Sequence, residues 1–229
     1  MKTIKTLSIL GMALLMTDAQ AFAEEKHHED PTRIVTKIGI GINDNVSVSG
    51  SLGLDDARMM SARINDEGEW RLGGSWLFDV GIVNFNFSRT DYDHGSYSKK
   101  YSVGTFVPLS HFGIEPAGWM IFPMAGYNYS NGKIATPEDS DVGSEYYLMR
   151  NKSHGAYLGA FGVKPLNDKW SVMAFGGGGA GSNNYSSYWG GTGMSYKVND
   201  KNSVNFYGFI SEDDFGSSNK IGASYSHKF

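Results

Sequence analysis

Basic side chains recur in this sequence at positions where short segments alternate between apolar and polar residues. Arg63 and Arg71 each stand between two apolar neighbours. Because successive side chains of a β-strand point to opposite faces, we expect both arginines to face away from an apolar surface. Fixed cations along a narrow water-filled passage favour anions. The residues that we predict to line such a passage are Lys37, Arg63, Arg71, Asn84, Asn86, Lys100 and Lys197.

A second group that could bind a ligand is the segment EEKHHED at residues 24–30. It places His27 and His28 among four carboxylates, and imidazole with carboxylate can hold a transition metal. Adjacent side chains in a polar tail do not make a preformed site. We therefore predict a solvated tail, with no metal site and no cofactor.

Three Ser-His neighbours, at 110–111, 153–154 and 226–227, raise the question of hydrolase chemistry. A catalytic serine needs its histidine within hydrogen-bond reach, whereas neighbours along a strand point to opposite faces. The glycine-rich run GGGGAG at 176–181 is not followed by the Lys-Ser/Thr of a phosphate loop. We expect no catalytic residues and no enzymatic activity, and we interpret the run as structural.

The composition narrows the class of protein. The 229 residues carry a net charge of −4 and no cysteine, which argues against a nucleic-acid partner and excludes disulfides and thiolate metal sites. The chain contains 30 Gly, 13 Tyr and 13 Phe, yet its mean hydropathy is only −0.33. Such a mixture suits a wall one residue thick, with Trp, Tyr and Phe facing lipid or its interfaces and small polar residues facing water.

The N-terminus has the pattern of an export signal. Lys2 and Lys5 precede a short apolar run, and Ala21-Phe22-Ala23 forms a small-residue cleavage site. We predict a signal peptide at 1–23, a polar N-terminal tail at 24–33 and a single β-barrel domain at 34–229.

Strand patterns follow one another along that domain, separated by turn residues. Near-identical Asn-Asp turns occur at 43–44, 167–168 and 199–200, each followed at once by a new strand. A ten-strand alternative, with 55–68 as an outer loop, would place the turn at 43–44 at the same end as its two copies. Twelve strands are favoured over ten, because ten would leave the regular alternation of 34–42 unpaired. The predicted strands are 34–42, 46–54, 57–64, 69–78, 81–90, 97–108, 118–130, 153–165, 169–180, 186–198, 202–212 and 219–229.

The last residues, NKIGASYSHKF, connect this pattern to a known class. Every second residue is apolar or aromatic up to the terminal phenylalanine, and the residues concerned are Ile221, Ala223, Tyr225 and Phe229. In this respect the chain resembles the outer-membrane β-barrel proteins of Gram-negative bacteria; His227 departs from the usual pattern. The resemblance implies an all-β, antiparallel, up-and-down transmembrane barrel in the cell outer membrane. It further implies contact with outer-membrane lipids, periplasmic chaperones and the barrel-assembly machinery, which would read the four residues as an assembly signal.

Two functions remain open at this point. A porin-like, narrow passive channel for small polar or anionic solutes is favoured by the basic residues of the polar face. The alternative is a non-conducting structural or surface-interaction barrel that acts through its extracellular loops, of which the acidic segment 131–153 is the longest.

Overall fold

The computed structural model describes residues 26–138 and 145–229, and within these ranges twelve antiparallel strands form a closed barrel. Each strand pairs with the next along the chain, which confirms the prediction of a twelve-stranded up-and-down barrel. The strands are β1 (Lys37–Ile42), β2 (Val46–Gly53), β3 (Arg58–Asn65), β4 (Trp70–Phe78), β5 (Gly81–Asp91), β6 (Tyr97–Phe106), β7 (Met120–Glu138), β8 (Glu145–Pro165), β9 (Trp170–Gly181), β10 (Ser186–Lys197), β11 (Asn202–Asp213) and β12 (Gly216–Lys228). The predicted signal peptide lies outside the described residues.

Pairing between the first and last strands closes the sheet. The register runs from Lys37 opposite Lys228 to Ile42 opposite Ala223. A sheet edge left open in lipid would expose unpaired N–H and C=O groups. The last strand, β12, is therefore paired on both sides, with β11 and with β1.

The two ends of the barrel differ. The terminus end carries both ends of the barrel domain and the connections 54–57, 79–80, 107–119, 166–169 and 198–201. The opposite end, the loop end, carries 43–45, 66–69, 92–96, 182–185 and 214–215. The Asn-Asp turn at 43–44 thus lies at the other end from its two copies, and the ten-strand alternative, which would have grouped all three, is not what the structure shows.

The prediction of a loop over 131–153 was wrong for most of its length. β7 and β8 continue beyond the barrel wall as a two-stranded hairpin, with Ile134 opposite Met149 and Ala135 opposite Leu148. Apolar cross-strand pairs of this kind stabilise a hairpin despite the polar composition around them. Residues 139–144, which include Asp139 and Asp141 of the acidic segment, lie outside the described residues.

Outside that hairpin, two strand boundaries differ from prediction by three residues, and the others differ by at most two. β1 begins at Lys37 rather than at residue 34, because residues 34–36 bond to β2 through side chains: Ser51 Oγ donates to the Val35 carbonyl at 2.6 Å. The last strand begins at Gly216, three residues earlier than predicted, so the connection between β11 and β12 is a tight turn.

The outer surface is strongly apolar, whereas the apolar interior is small. Exposed large side chains such as Ile40, Leu72 and Leu158 occur on strands all around the barrel. Within the described ranges, the buried apolar residues are Ile82, Phe122, Val163, Tyr185 and Phe215. No helix in these ranges has the length and hydropathy needed to span a membrane.

Candidate solute pathway

Small and polar side chains make up much of the inner face of the barrel, and a larger and a smaller cavity lie among the described residues there. The larger, about 590 Å³, extends towards the loop end, where Tyr92 and Asp213 contribute to its wall. The smaller, about 340 Å³, reaches the N-terminal segment and is lined by Lys37, Ser49 and Ser226, among others. Strand alternation accounts for this lining, since the apolar partners of these residues point outwards.

Arg63 and Arg71 lie where the two cavities meet, because both residues line both cavities. They occupy directly opposed positions on β3 and β4. Arg63 Nη2 donates a hydrogen bond to Ser47 Oγ at 3.1 Å. Among the described residues, neither arginine has a carboxylate within ion-pair distance. Both residues are exposed to solvent, and both line the space inside the barrel.

Two other cations that line the larger cavity have acidic partners. Lys100 Nζ lies 3.4 Å from Asp213 Oδ2, and Lys220 Nζ lies 3.6 Å from Glu69 Oε2. Both pairs belong to the wall of the larger cavity. Paired charges largely cancel at a distance, so the positive potential of the larger cavity is concentrated near the two arginines.

The remaining residues predicted to line a passage lie on the inner wall at different heights. Lys37 lines the smaller cavity and Asn86 the larger. Asn84 accepts a hydrogen bond from Ser75 Oγ at 2.6 Å. Lys197 pairs with Asp200 in the turn at the terminus end, at 2.7 Å. Of the seven residues predicted to line a passage, Arg63 and Arg71 are the two that stand directly opposite each other on neighbouring strands.

The N-terminal segment enters the barrel instead of extending into solvent. His27 Nε2 lies 2.9 Å from Ser171 Oγ on β9, and Ser195 Oγ on β10 donates to Glu29 Oε1 at 2.8 Å. His28 Nε2 lies 3.2 Å from the same Ser195 oxygen. The prediction of a solvated tail was therefore wrong for the described residues from 26 onwards. No group of three metal-ligating side chains is assembled within the ranges that the structure describes.

Burial changes the protonation of the two histidines in this segment. Loss of solvent lowers the pKa of His27 to about 4, and the neighbouring His28 acts in the same direction. Burial likewise lowers the pKa of His28 to about 4, with Lys197 adding to the effect. Both imidazoles are therefore neutral at pH 7 while the segment lies in the barrel.

The terminus end divides into three sectors. The N-terminal segment contacts β9 and β10, as above. On the side formed by β5 to β8, Ile82, Phe122 and Val163 form an apolar core inside the wall, with the Phe122 ring 6.2 Å from that of Phe161. The smaller cavity occupies the third sector, which β1 to β4 line together with β11 and β12. A solute crossing the barrel would follow this third sector past the arginines.

Loop side chains narrow the other end. Phe215, in the turn after β11, is buried and lies against Gly132 of β7. The Tyr92 and Tyr185 hydroxyls each lie 3.5 Å from Asp213 Oδ2. Burial raises the pKa of Tyr92, so this phenol stays protonated at neutral pH. Sequence reasoning treated these segments only as loops and missed their inward packing.

Inward-facing aromatic rings are the second feature that sequence reasoning missed. Trp189 of β10 stands opposite Gly177 of β9, and Phe175 of β9 stands opposite Gly191 of β10. A Cβ atom at either glycine would lie 2.5 Å from the facing ring. The prediction that Trp, Tyr and Phe face lipid was wrong here. The GGGGAG run has a structural role, because Gly177 leaves room for the Trp189 ring.

The four residues of the predicted assembly signal lie in β12 or directly after it. Ile221 is 85% exposed on the outer surface, and Tyr225 and Phe229 are exposed on the same face. Tyr225 Oη donates to Asn202 Oδ1. Ala223 completes the face and pairs with Ile42 of β1. Recognition by an assembly machinery stays a prediction.

Comparison with solved structures finds barrels of the outer membrane. The translocator domain of autotransporter NalP from Neisseria meningitidis matches with a TM-score of 0.53 and 12% identity, over 85% of this chain and 86% of that one. An outer membrane channel from Pseudomonas putida F1 matches with a TM-score of 0.47 and 8% identity, over 89% and 100%. KdgM porin matches with a TM-score of 0.43 and 10% identity, over 84% and 98%.

No protein-family model and no curated protein matches the chain. At such identities the comparison with the translocator domain establishes the barrel fold and nothing about the solute or the activity. The resemblance to outer-membrane β-barrel proteins is thus confirmed at the level of fold.

Proposed function

We propose that this protein is an outer-membrane channel that passes small anionic solutes. The observation that carries the proposal is the pair Arg63 and Arg71, which lies between two cavities in series and has no carboxylate partner among the described residues. Two exposed guanidinium groups on opposed wall positions attract an anion without excluding water from it.

The outer surface supports a membrane location. Large apolar side chains are exposed on strand after strand, whereas a soluble monomer seldom exposes a continuous apolar surface of this extent. Closure of the sheet satisfies the backbone groups that lipid could not. Outer-membrane lipid would cover this surface.

Electrostatics support anions over cations as the solute. Two unit charges about 4 Å apart interact by about 4 kcal/mol at the intermediate dielectric of a protein surface. A cation passing the arginines meets that repulsion, whereas the paired Lys100 and Lys220 add little to it. The arginine pair is therefore the place in the channel where anions are favoured over cations.

The test is a planar-bilayer recording with the refolded mature protein. In a chloride gradient we expect a reversal potential on the anion-selective side, which Arg63→Gln and Arg71→Gln each shift towards zero. Lys152→Gln is the matched control, because Lys152 is exposed on β8, outside the part of that strand that pairs with β9, and lines neither cavity. A cation preference, or a shift in the control as large as in the arginine variants, would overturn the proposal.

A non-conducting barrel is the second candidate, and the filling at the two ends of the barrel favours it. Phe215 and Tyr185 are buried at the loop end, while the N-terminal segment occupies part of the terminus end. If the barrel is folded but electrically silent in the bilayer, both with and without residues 24–33, the channel proposal fails. The hairpin of β7 and β8 then becomes the surface to study.

A further inference from the structure

The larger cavity has two chemically different walls. One carries Arg63 and Arg71, on β3 and β4. The other carries aromatic rings from β8 to β11, and these are Tyr157, Phe175, Trp189 and Phe209. A cavity of about 590 Å³ lies within the range of small-molecule sites.

The two walls face each other across the barrel. In a ring of twelve strands, β3 and β9 are six pairings apart in either direction, and so are β4 and β10. Arg63 therefore lies across the lumen from the strand of Phe175. Arg71, on β4, likewise lies across the lumen from β10, the strand that carries Trp189.

The aromatic rings are held against their wall. Trp189 lies over Gly177 and Phe175 over Gly191, so each ring packs closely against a glycine of the neighbouring strand. Tyr157 packs edge to face with Trp189, with ring centroids 5.9 Å apart. Since all three also line the cavity, they present a fixed apolar surface to whatever enters it.

The other cations that line this cavity have carboxylate partners, whereas the arginine pair has none among the described residues. Lys100 has Asp213, Lys220 has Glu69, and Arg89 has Asp91 at 2.8 Å. Glu212 accepts a hydrogen bond from the Tyr188 hydroxyl. A ligand that matches the cavity therefore carries one anionic end and an uncharged, flat remainder.

We propose that the larger cavity binds small organic anions that carry a ring, such as aryl carboxylates, with the carboxylate on Arg63 and Arg71 and the ring against Phe175 and Trp189. This inference rests on the proposed function, because it names the class of anion that the same arginines would select. Arginine binds a carboxylate in a two-pronged geometry. The ring gains contacts that a bare inorganic anion cannot make.

The experiment measures binding in detergent, separately from conduction. Isothermal titration calorimetry of the folded mature protein compares benzoate with acetate, which has only the charge, and with benzyl alcohol, which has only the ring. We expect benzoate to bind more tightly than either. Trp189→Leu and Phe175→Leu should each weaken benzoate about two- to ten-fold, as loss of an aromatic contact predicts, and leave acetate unchanged.

Trp76→Leu is the matched control, because Trp76 is exposed on the outer face of β4. Folding of each variant is verified by its heat-dependent shift on a gel. If benzoate binds no better than acetate while the bilayer shows anion selectivity, this inference fails and the proposed function stands. If benzoate binds with the expected variant pattern but the bilayer is silent, the channel fails and the site stands. An equal loss of benzoate affinity in Trp76→Leu and Trp189→Leu would also overturn the proposal that the ring of the ligand lies against Phe175 and Trp189.

Discussion

Arg63 on β3 stands directly opposite Arg71 on β4, and the inner wall around them supplies a serine hydroxyl but no acidic partner within the described ranges. Like charges at directly opposed positions destabilise a sheet. The barrel keeps this pair in spite of that cost, which is the expected signature of a site built for an anion rather than for stability alone.

Replacing one member of the pair should therefore stabilise the barrel. We expect Arg71→Gln to raise the free energy of unfolding at low ionic strength by about 0.2–1 kcal/mol, the size of a cross-strand charge effect. Sulfate should stabilise the native protein more than the variant, because an anion bound only by the folded state shifts the equilibrium. Urea unfolding followed by tryptophan fluorescence measures both. Equal stabilisation of the two proteins by sulfate would contradict the site.

Removal of the N-terminal segment should widen the pathway. Residues 26–33 lie inside the barrel, held by His27 and Glu29 to β9 and β10. Deletion of 24–33 leaves every strand intact, so we expect a folded barrel with a higher single-channel conductance and unchanged anion preference. An unchanged conductance would mean that ions never pass this segment. The point variant Glu29→Gln, which keeps the segment, serves as the control.

Acid should release the same segment. Docked, His27 and His28 have pKa values near 4, whereas a solvated histidine has a pKa near 6.5. Docking is therefore unaffected above about pH 6.5 and weakens as the pH falls towards 4, because only the released state takes up protons in that window. Nearby Glu29 and Asp30 raise the pKa of docked His27 and so oppose release at low pH. Arg33 and Lys197 lower the pKa of docked His28 and so favour release.

A spin label can follow this release, because the chain has no native cysteine. We expect a label at Lys26→Cys to be immobile at pH 7.5 and mobile at pH 4.5. In the same protein with His27→Gln and His28→Gln the difference should vanish. A label that stays immobile at pH 4.5 in the barrel with native histidines would show that protonation does not displace the segment.

Gly177 should be sensitive to the smallest possible substitution. A Cβ atom there would lie 2.5 Å from Trp189 Cζ2 and 2.5 Å from the Leu158 carbonyl oxygen. We expect Gly177→Ala to destabilise the barrel by about 1–3 kcal/mol, the usual effect of overpacking. Gly74→Ala is the control, since nothing lies within 4 Å of a Cβ atom at that position. Similar unfolding midpoints for the two variants would contradict the packing described for Trp189.

Much of the fold follows from local alternation. Ile221, Ala223 and Tyr225 share one face of β12 because side chains two residues apart must do so in a strand. The same rule identified Arg63 and Arg71 as residues of the polar face before any strand was paired. It failed for the segment after Lys133, where turn-forming residues concealed extensions of β7 and β8 that pair only with each other.

The sequence by itself determined a twelve-stranded wall and its closure, because these depend on neighbours two residues apart and on the need to pair every backbone group. Only the tertiary structure decided what fills the interior. His27 meets Ser171 across 144 residues, and Lys100 meets Asp213 across 113. Alternation states which face a side chain is on, but not which distant strand it faces. The position of the N-terminal segment, and the aromatic wall opposite the arginines, are set by barrel closure.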